Sequence, residues 1–138
     1  MTRETGASLA GRISTSLFAR TPLILQSEAA ECGLAAMAMV AGHHGHRMDM
    51  AAIRRRFSAS IKGTTLRDLV SVGSGLGLAT RALRLEPGDL GKLRLPCILH
   101  WGHNHFVVLT KVRNGSIVIH DPAKGRRAVP MAEVSRQM

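Results

Sequence analysis

Aromatic residues are scarce in this chain of 138 residues, which contains no tyrosine, one tryptophan and three phenylalanines. Proteins that read RNA or single-stranded DNA stack bases on aromatic side chains, so this composition argues against them. No zinc-finger spacing and no helix-turn-helix pattern stands out in the sequence either. Nucleic acid is therefore the weakest of the partners that a formal net charge of +10 suggests, behind an anionic membrane surface and an acidic peptide.

Long apolar segments are missing as well. The longest nearly apolar run covers residues 33–42, which is about half of the length that a transmembrane helix needs. The first twenty residues contain no continuous apolar stretch of the kind found in secretory signal peptides. The two cysteines do not make a disulfide framework, which favours a reducing compartment, with the cytoplasm as the default.

Apolar residues recur at helical spacing in the N-terminal half of the chain. The first predicted helix covers residues 32–41 and is expected to end at Gly42 and Gly45. A second is predicted over residues 49–57, with its first residue as the N-cap. A third is predicted to begin at residue 64 or 65 and to fade among the glycines that follow.

After residue 77 the pattern changes from helical to extended. Strands are predicted over residues 78–85, 96–101, 105–112 and 116–120. The last two form a hairpin around Asn114-Gly115, residues 123–127 are predicted to be a basic turn, and a final helix begins at residue 131. Helices followed by an antiparallel sheet make an α+β fold with segregated layers.

Cys32 stands where a loop gives way to the first predicted helix. A thiol at a helix N-terminus faces unpaired backbone N–H groups and the positive end of the helix dipole, and both favour the nucleophilic thiolate. Downstream, His105 opens one strand of the hairpin and Asp121 closes the other. A nucleophile, a base and an orienting carboxylate in this order, on these elements, indicate a cysteine peptidase.

Two further points concern this constellation. A two-residue loop at Asn114-Gly115 would pair His105 with a residue past Asp121, so a longer loop or a bulge is needed to bring the two side chains together.

Gln26 lies in the loop before the helix, and its side-chain amide could join the backbone N–H of Cys32 as an oxyanion hole. Taken singly, each of these residues has an ordinary structural explanation, and the combination is what favours catalysis.

Other chemistry-bearing residues have simpler interpretations. The cluster His43-His44-Gly45-His46 and the pair around Asn104 lack the ligand spacing of a structural zinc site. Cys97 follows Pro96 in an apolar strand and is predicted to be an inert core thiol. Trp101 is expected to cover either the active site or the core. The triplet Arg54-Arg55-Arg56 is predicted to be a solvated basic helix face.

The chain resembles the papain-like peptidase domain at the N-terminus of peptidase-containing ABC transporters, which process bacteriocins and other peptides with double-glycine leaders. The matching motifs are Gln26-x5-Cys32-Gly33, His105-Phe106-Val107-Val108-Leu109 and His120-Asp121-Pro122-Ala123. Residues 28–35 and 96–101 are most similar to the colicin V secretion members of this family. The resemblance covers residues 21–134, nearly the whole of the predicted folded part.

The resemblance implies a papain-like fold, a catalytic triad of Cys32, His105 and Asp121, and Gln26 in the oxyanion hole. It implies an endopeptidase without a cofactor or metal, which removes a leader after a Gly-Gly pair and is coupled to export. The implied partners are the leader peptide and the transmembrane and nucleotide-binding domains of a full-length transporter, on the cytoplasmic side of the bacterial inner membrane. The alternative is a related domain that docks the leader without cleaving it.

The family's domain usually continues into a further strand, so the C-terminal edge of the peptidase domain, residues 21–138, is predicted to be truncated. Residues 1–20 are polar and are predicted to be a flexible arm. The sequence contains no Gly-x4-Gly-Lys-Ser/Thr motif, so the resemblance assigns ATP binding to other domains of a transporter. The fragment itself is expected to be soluble.

Overall fold

The computed structural model describes residues 2–4, 20–57 and 63–138. The helices are α1 (Cys32–His43), α2 (Met50–Arg56), α3 (Leu66–Gly75) and α4 (Met131–Gln137). The strands are β1 (Thr2–Glu4), β2 (Leu78–Thr80), β3 (Cys97–Trp101), β4 (His105–Arg113), β5 (Ser116–Asp121) and β6 (Gly125–Pro130). Short 3₁₀ helices cover Ala29–Glu31 and Pro87–Lys92.

Four antiparallel strands form the main sheet in the order β3-β4-β5-β6, and β1 pairs with β2 in a separate ribbon. Helix α1 packs on the face of the main sheet where Ile98, Phe106 and Val108 point, and α2 and α3 pack against α1. The neighbouring residues of the same strands, such as Leu99 and Val107, point to a second core that includes Val134 of α4. This alternation is the period of two that strands impose, and it confirms the predicted α+β class.

Helix α1 lies at the centre of the molecule. Its residues 32–41 are all buried, so the helix is apolar all round, as a helix packed on every side must be. The prediction that Gly42 ends it is wrong, because Gly42 lies inside the last turn. A Cβ on Gly42 would come within 2.7 Å of the Pro22 ring, so close packing explains that glycine. Gly45 lies just past the helix with φ of 92°, a conformation that suits glycine.

The starts of the next two helices follow their capping residues, as predicted. The Asp49 carboxylate accepts a hydrogen bond of 2.8 Å from the Ala52 backbone N–H at the start of α2. Thr65 and Asp68 form a reciprocal capping box at the start of α3. Side-chain caps of this kind satisfy N–H groups that the helix leaves unpaired.

Two predicted elements are wrong in the C-terminal half. The strand predicted over residues 78–85 ends at Thr80, after which Arg81, Ala82, Leu83 and Arg84 are exposed and outside any strand. Gly125–Pro130, predicted in part as a turn, is strand β6, which pairs with β5 along its whole length. The local sequence favours a turn there, but a partner strand supplies the hydrogen bonds that decide the outcome.

The remaining predictions concern the ends of the chain and the membrane. Helix α4 confirms the helix predicted from residue 131. Of the predicted arm, residues 2–4 form β1 and Arg20 is described, whereas the others lie outside the described residues. Within the described segments, no helix has both the length and the hydropathy needed to cross a bilayer.

Candidate active site

Cys32 is the first residue of α1 and directly follows the 3₁₀ turn Ala29–Glu31. The residue is 4% exposed, and its Sγ lies 3.8 Å from the backbone carbonyl oxygen of Asn104, in the turn before β4. The backbone N–H groups of Phe106 and Gly33 contribute to lowering the pKa of the thiol. The thiol therefore lies between the start of the central helix and the start of β4.

His105 and Asp121 are directly hydrogen-bonded. The His105 Nε2 atom lies 2.7 Å from Asp121 Oδ1, and the carboxylate side chain is 3% exposed. The same oxygen accepts a 2.9 Å hydrogen bond from the Ala123 backbone N–H. A buried carboxylate held by these two donors fixes the orientation of the imidazole ring.

The pairing of β4 with β5 contains a bulge. Leu109 pairs with Ile119, and Lys111 pairs with Val118, so Thr110 is an extra residue with no partner in the ladder. Its hydroxyl donates a 3.2 Å hydrogen bond to the Val118 carbonyl. An extra residue on one strand changes which face the following side chains occupy relative to the partner strand.

The bulge decides where Asp121 points. In a regular ladder Asp121 would stand opposite Val108, whose side chain is on the α1 side of the sheet. The observed register ends with Val108 opposite His120, which brings Asp121 level with Val107 on the other face. His105, two residues before Val107, shares that face. Of the two predicted alternatives, a longer loop or a bulge, the structure contains the bulge.

Cys32 and His105 shift each other's pKa. Burial by itself would raise the pKa of the Cys32 thiol, but the hydrogen bond with His105 and those from backbone N–H groups outweigh it and lower the pKa. The hydrogen bond with Cys32 raises the pKa of His105 against the effect of burial, and Asp121 adds to the rise. Because Nε2 is bonded to Asp121, Nδ1 is the ring nitrogen left for the sulfur. These shifts favour a thiolate–imidazolium pair.

Gln26 forms hydrogen bonds with the residue that follows Asp121 and with the loop that precedes Cys32. Its backbone N–H donates a 2.9 Å hydrogen bond to the carbonyl of Pro122, the residue after Asp121. Its side-chain amide nitrogen donates to the carbonyls of Glu28 and Ala29, at 3.2 and 3.4 Å. The amide oxygen is buried and has no hydrogen-bond partner among the described residues. The side chain thus bonds within its own loop rather than to Cys32.

Glu31 and Arg54 belong to the surroundings of Cys32, and neither was predicted as a site residue. The Glu31 side chain is 6% exposed and forms an ion pair with Arg54 of α2. All three arginines of the predicted basic face are exposed, as predicted, and Arg54 differs from its neighbours in its contact with Glu31. The sequence contained one signal for this contact, a carboxylate directly before the cysteine. Burial of the helix start also buries this carboxylate, which then needs a partner.

The remaining candidates lie away from the thiol. Cys97 is fully buried in the second core, and burial raises its pKa to about 11, as expected for an inert thiol. Trp101 is buried in the same core and also lines a cavity of about 420 Å³ beside His105 and Asp121. In the described part of the chain, no group of three or more potential ligands could hold a metal ion. His43 instead contacts the Thr21 hydroxyl, at 3.1 Å.

Comparison with known sequences gives relatives over nearly the whole described region. The chain is 49% identical over 117 residues to the probable microcin-H47 secretion/processing ATP-binding protein MchF and to the colicin V secretion/processing ATP-binding protein CvaB, both from Escherichia coli. Each alignment covers 85% of this chain and 17% of the relative. The chain thus spans about a sixth of the length of these relatives.

Solved structures are similar in fold. A double glycine motif protease from an AMS/PCAT transporter, crystallised in complex with the leader peptide, matches with a TM-score of 0.80 and 36% identity, covering 87% of this chain and 86% of that one. The peptidase domain of Streptococcus ComA, a bi-functional ABC transporter involved in a quorum-sensing pathway, matches with a TM-score of 0.77 and 25% identity, covering 86% and 92%. The papain-like fold is thereby confirmed.

The sequence family model that matches the chain extends over residues 20–137, which include all of the described elements except β1. The buried thiol at the start of α1 and the hydrogen-bonded imidazole and carboxylate at the sheet are the groups that a cysteine peptidase requires. The chain belongs to the Peptidase C39 family, a family of cysteine peptidases.

Proposed function

We propose that this chain is an endopeptidase that removes the leader of a secreted peptide precursor by cleaving after a Gly-Gly pair. The observation that carries the proposal is the series of thiol, imidazole and carboxylate formed by Cys32, His105 and Asp121, in which the imidazole and the carboxylate are hydrogen-bonded at 2.7 Å and His105 lowers the pKa of the thiol. Such a series serves acyl transfer. The likeness to a double glycine motif protease supports this choice of substrate.

The reaction begins with attack of the Cys32 thiolate on the carbonyl carbon of the second glycine. His105, as the imidazolium, gives its proton to the leaving amide nitrogen, so the C–N bond breaks and the leader remains as a thioester on Cys32. His105 then removes a proton from water, whose oxygen displaces the sulfur. The products are the leader with a free carboxylate and the mature peptide with a free amine.

Two other groups have supporting roles. Asp121 accepts the Nε2–H bond of His105, which leaves Nδ1 to face the sulfur and stabilises the imidazolium. The Cys32 backbone N–H and the Gln26 amide donate to the oxyanion that forms during the attack. For the second donation, the amide must leave the carbonyls of Glu28 and Ala29, its present partners. Substrate binding supplies the competing acceptor.

Glycine at both positions before the scissile bond fits a cleft too narrow for side chains. Such a cleft contacts few side chains near the scissile bond and so distinguishes few precursor sequences. Recognition of the leader must therefore come from contacts elsewhere, with apolar leader residues docking as a helix in a groove. A formal net charge of +10 favours leaders that also carry acidic residues.

The remaining partners belong to a longer protein. MchF and CvaB are secretion/processing ATP-binding proteins, and we infer that this domain works at the cytoplasmic side of the bacterial inner membrane, joined to transmembrane and nucleotide-binding domains that export the product. Nucleic acid has no place in this proposal, because the basic charge comes without stacking aromatics.

The test uses a synthetic precursor with a double-glycine leader. The expected result is a single cut after the second glycine, identified by the masses of both products, and no cut in a matched precursor with alanine at both glycines. A chain that binds the leader but leaves it intact under reducing conditions would overturn the enzymatic proposal in favour of a docking module.

A further inference from the structure

Glu31 is a buried carboxylate placed directly before the nucleophile. Its two oxygens accept hydrogen bonds from the Arg54 guanidinium, Oε2 from Nε at 2.5 Å and Oε1 from Nη2 at 3.0 Å. A guanidinium that donates through both sides of its fork fixes the direction of the carboxylate as well as its charge. Helix α2, which carries Arg54, is thereby tied to the residue before Cys32.

The same carboxylate also holds the loop that carries Gln26. Its Oε1 accepts hydrogen bonds from the backbone N–H groups of Ser27, at 3.3 Å, and Glu28, at 2.9 Å. Gln26 in turn bonds to the carbonyl of Glu28 through its side chain. One carboxylate therefore connects α2, the Gln26 loop and the start of α1.

We propose that Arg54 is a positioning residue for the cleavage reaction, which holds the Gln26 loop through Glu31 and neutralises the charge of Glu31, the residue before Cys32. This inference rests on the proposed function. Arg54 acts through Glu31 and touches neither the thiol nor, in the proposed reaction, the substrate.

Two physical effects support the proposal. Hydrogen bonding from Arg54 outweighs burial and holds the pKa of Glu31 below its usual value, so the carboxylate stays charged. Without Arg54, a buried negative charge next to Cys32 would disfavour the thiolate. The loop would also lose the anchor of its two N–H bonds, and a misplacement on the order of 1 Å in an active site can cost about a hundredfold in rate.

The chain offers a matched control on the same helix. Arg55 is exposed, adjacent to Arg54 and equal in charge, and the guanidinium that contacts Glu31 is that of Arg54. Arg54→Gln and Arg55→Gln therefore remove the same charge from α2, but only the first releases the carboxylate. Arg54→Lys keeps the charge and removes the fork.

The experiment measures kcat and KM for the leader peptide, together with the pH dependence of Cys32 alkylation by iodoacetamide. For Arg54→Gln we expect a kcat loss on the order of tenfold to a hundredfold, a nearly unchanged KM and an alkylation midpoint at higher pH. Arg54→Lys should recover the midpoint more fully than kcat, and Arg55→Gln should match the wild type.

A double variant guards against misfolding of Arg54→Gln. In Glu31→Gln with Arg54→Gln, the amide oxygen can still accept from the loop and no unpaired charge remains, so the alkylation midpoint should return to that of the wild type. The proposal is overturned if folded Arg54→Gln, or Arg54→Lys where the former does not fold, shows the kcat and midpoint of Arg55→Gln. A wild-type chain that never cleaves, with the alkylation shift intact, would instead count against the proposed function.

Discussion

Asp121 and His105 share one face of the sheet because Thr110 is an extra residue in the strand between them. The bulge shifts the ladder by one residue, and the two side chains then meet at 2.7 Å. A strand end with a bulge is a rigid way to aim a carboxylate at an imidazole. The orientation of the His105 imidazole thus depends on a bulge in the middle of the hairpin, several residues from the site.

This relationship predicts a graded response to changes at Asp121. In Asp121→Asn the amide oxygen can still accept from both donors, His105 Nε2 and the Ala123 N–H, so the ring orientation persists. We expect a loss of kcat well short of the roughly 10⁴-fold loss that the same change causes in a serine protease triad, because the cysteine is already favoured as a thiolate.

The matched variants are Asp121→Ala, which should lose more, and His105→Ala, which should remove nearly all activity because triad members act as a unit. Steady-state kinetics on the three variants decide the order. A loss for Asp121→Asn equal to that for His105→Ala would mean that the charge of the carboxylate is essential.

The sequence was sufficient to predict those parts of the fold in which local chemistry decides. The caps Asp49 and Thr65 mark helix starts, and Asn114-Gly115 marks the hairpin. Strand β6 was missed because the glycine and basic residues of Gly125–Pro130 resemble a turn until β5 provides a partner. Gly42 was misjudged because a helix-interior glycine and a helix terminator look alike in sequence, and the packing of Pro22 distinguishes them.

The sequence was sufficient to propose the residues of the candidate site, but it did not specify all of the contacts among them. Cys32, His105 and Asp121 could be proposed from their order and their elements, and the register required either a longer loop or a bulge. Its position at Thr110 has no clear sequence signal, since Thr suits a regular strand equally well. The contact between Arg54 and Glu31 depends on how α2 packs, which periodicity alone does not specify.

The two cysteines should respond oppositely to substitution. Cys32→Ala is expected to abolish cleavage and to leave leader binding largely intact, because it removes the nucleophile and little contact area. Cys97→Ser is expected to retain activity and to lower the melting temperature, since it buries a hydroxyl in an apolar core at a cost of about 1–3 kcal/mol. Cleavage assays, a binding titration and thermal melts test both variants. Leader release at a normal rate by Cys32→Ala would remove Cys32 from the reaction.

The pKa shifts predict how reactivity depends on pH. The Cys32 pKa is lowered and the His105 pKa is raised, and both shifts favour the coexistence of a thiolate and an imidazolium. Acid protonates the thiolate, and base removes the imidazolium proton, so kcat/KM should follow a bell-shaped curve. Iodoacetamide should alkylate Cys32 below the pH at which an ordinary thiol reacts, while Cys97, with a pKa of about 11, stays unmodified.

His105→Ala provides the control for this profile. The variant keeps the burial of Cys32, which raises its pKa, and removes the hydrogen bond and charge that lower it. The alkylation midpoint should therefore move to higher pH. Mass mapping of the labelled cysteine identifies the thiol that reacts. An unchanged midpoint would show that helix α1 and the backbone N–H groups alone hold the thiolate.

The basic charge predicts a salt dependence for leader binding. With a formal net charge of +10, binding of an acidic leader should weaken as added salt shortens the Debye length from about 10 Å to about 3 Å. Titrations of one leader peptide over that range test this, with a charge-neutralised leader as the control. An affinity independent of salt would mean that apolar docking carries the recognition.

Gln26→Ala separates a catalytic role from a structural one. If the amide donates to the oxyanion, its contact with substrate strengthens only in the transition state, so kcat should fall by about 10²–10³ and leader Kd should barely change. Gln26→Glu should be at least as damaging, because a carboxylate repels the oxyanion. If the amide only bonds to the carbonyls of Glu28 and Ala29, both variants should lower the melting temperature and leave kcat within a few fold. Measuring kcat, Kd and melting temperature on the same variants distinguishes these outcomes, and a destabilised variant with normal kcat would exclude Gln26 from the oxyanion hole.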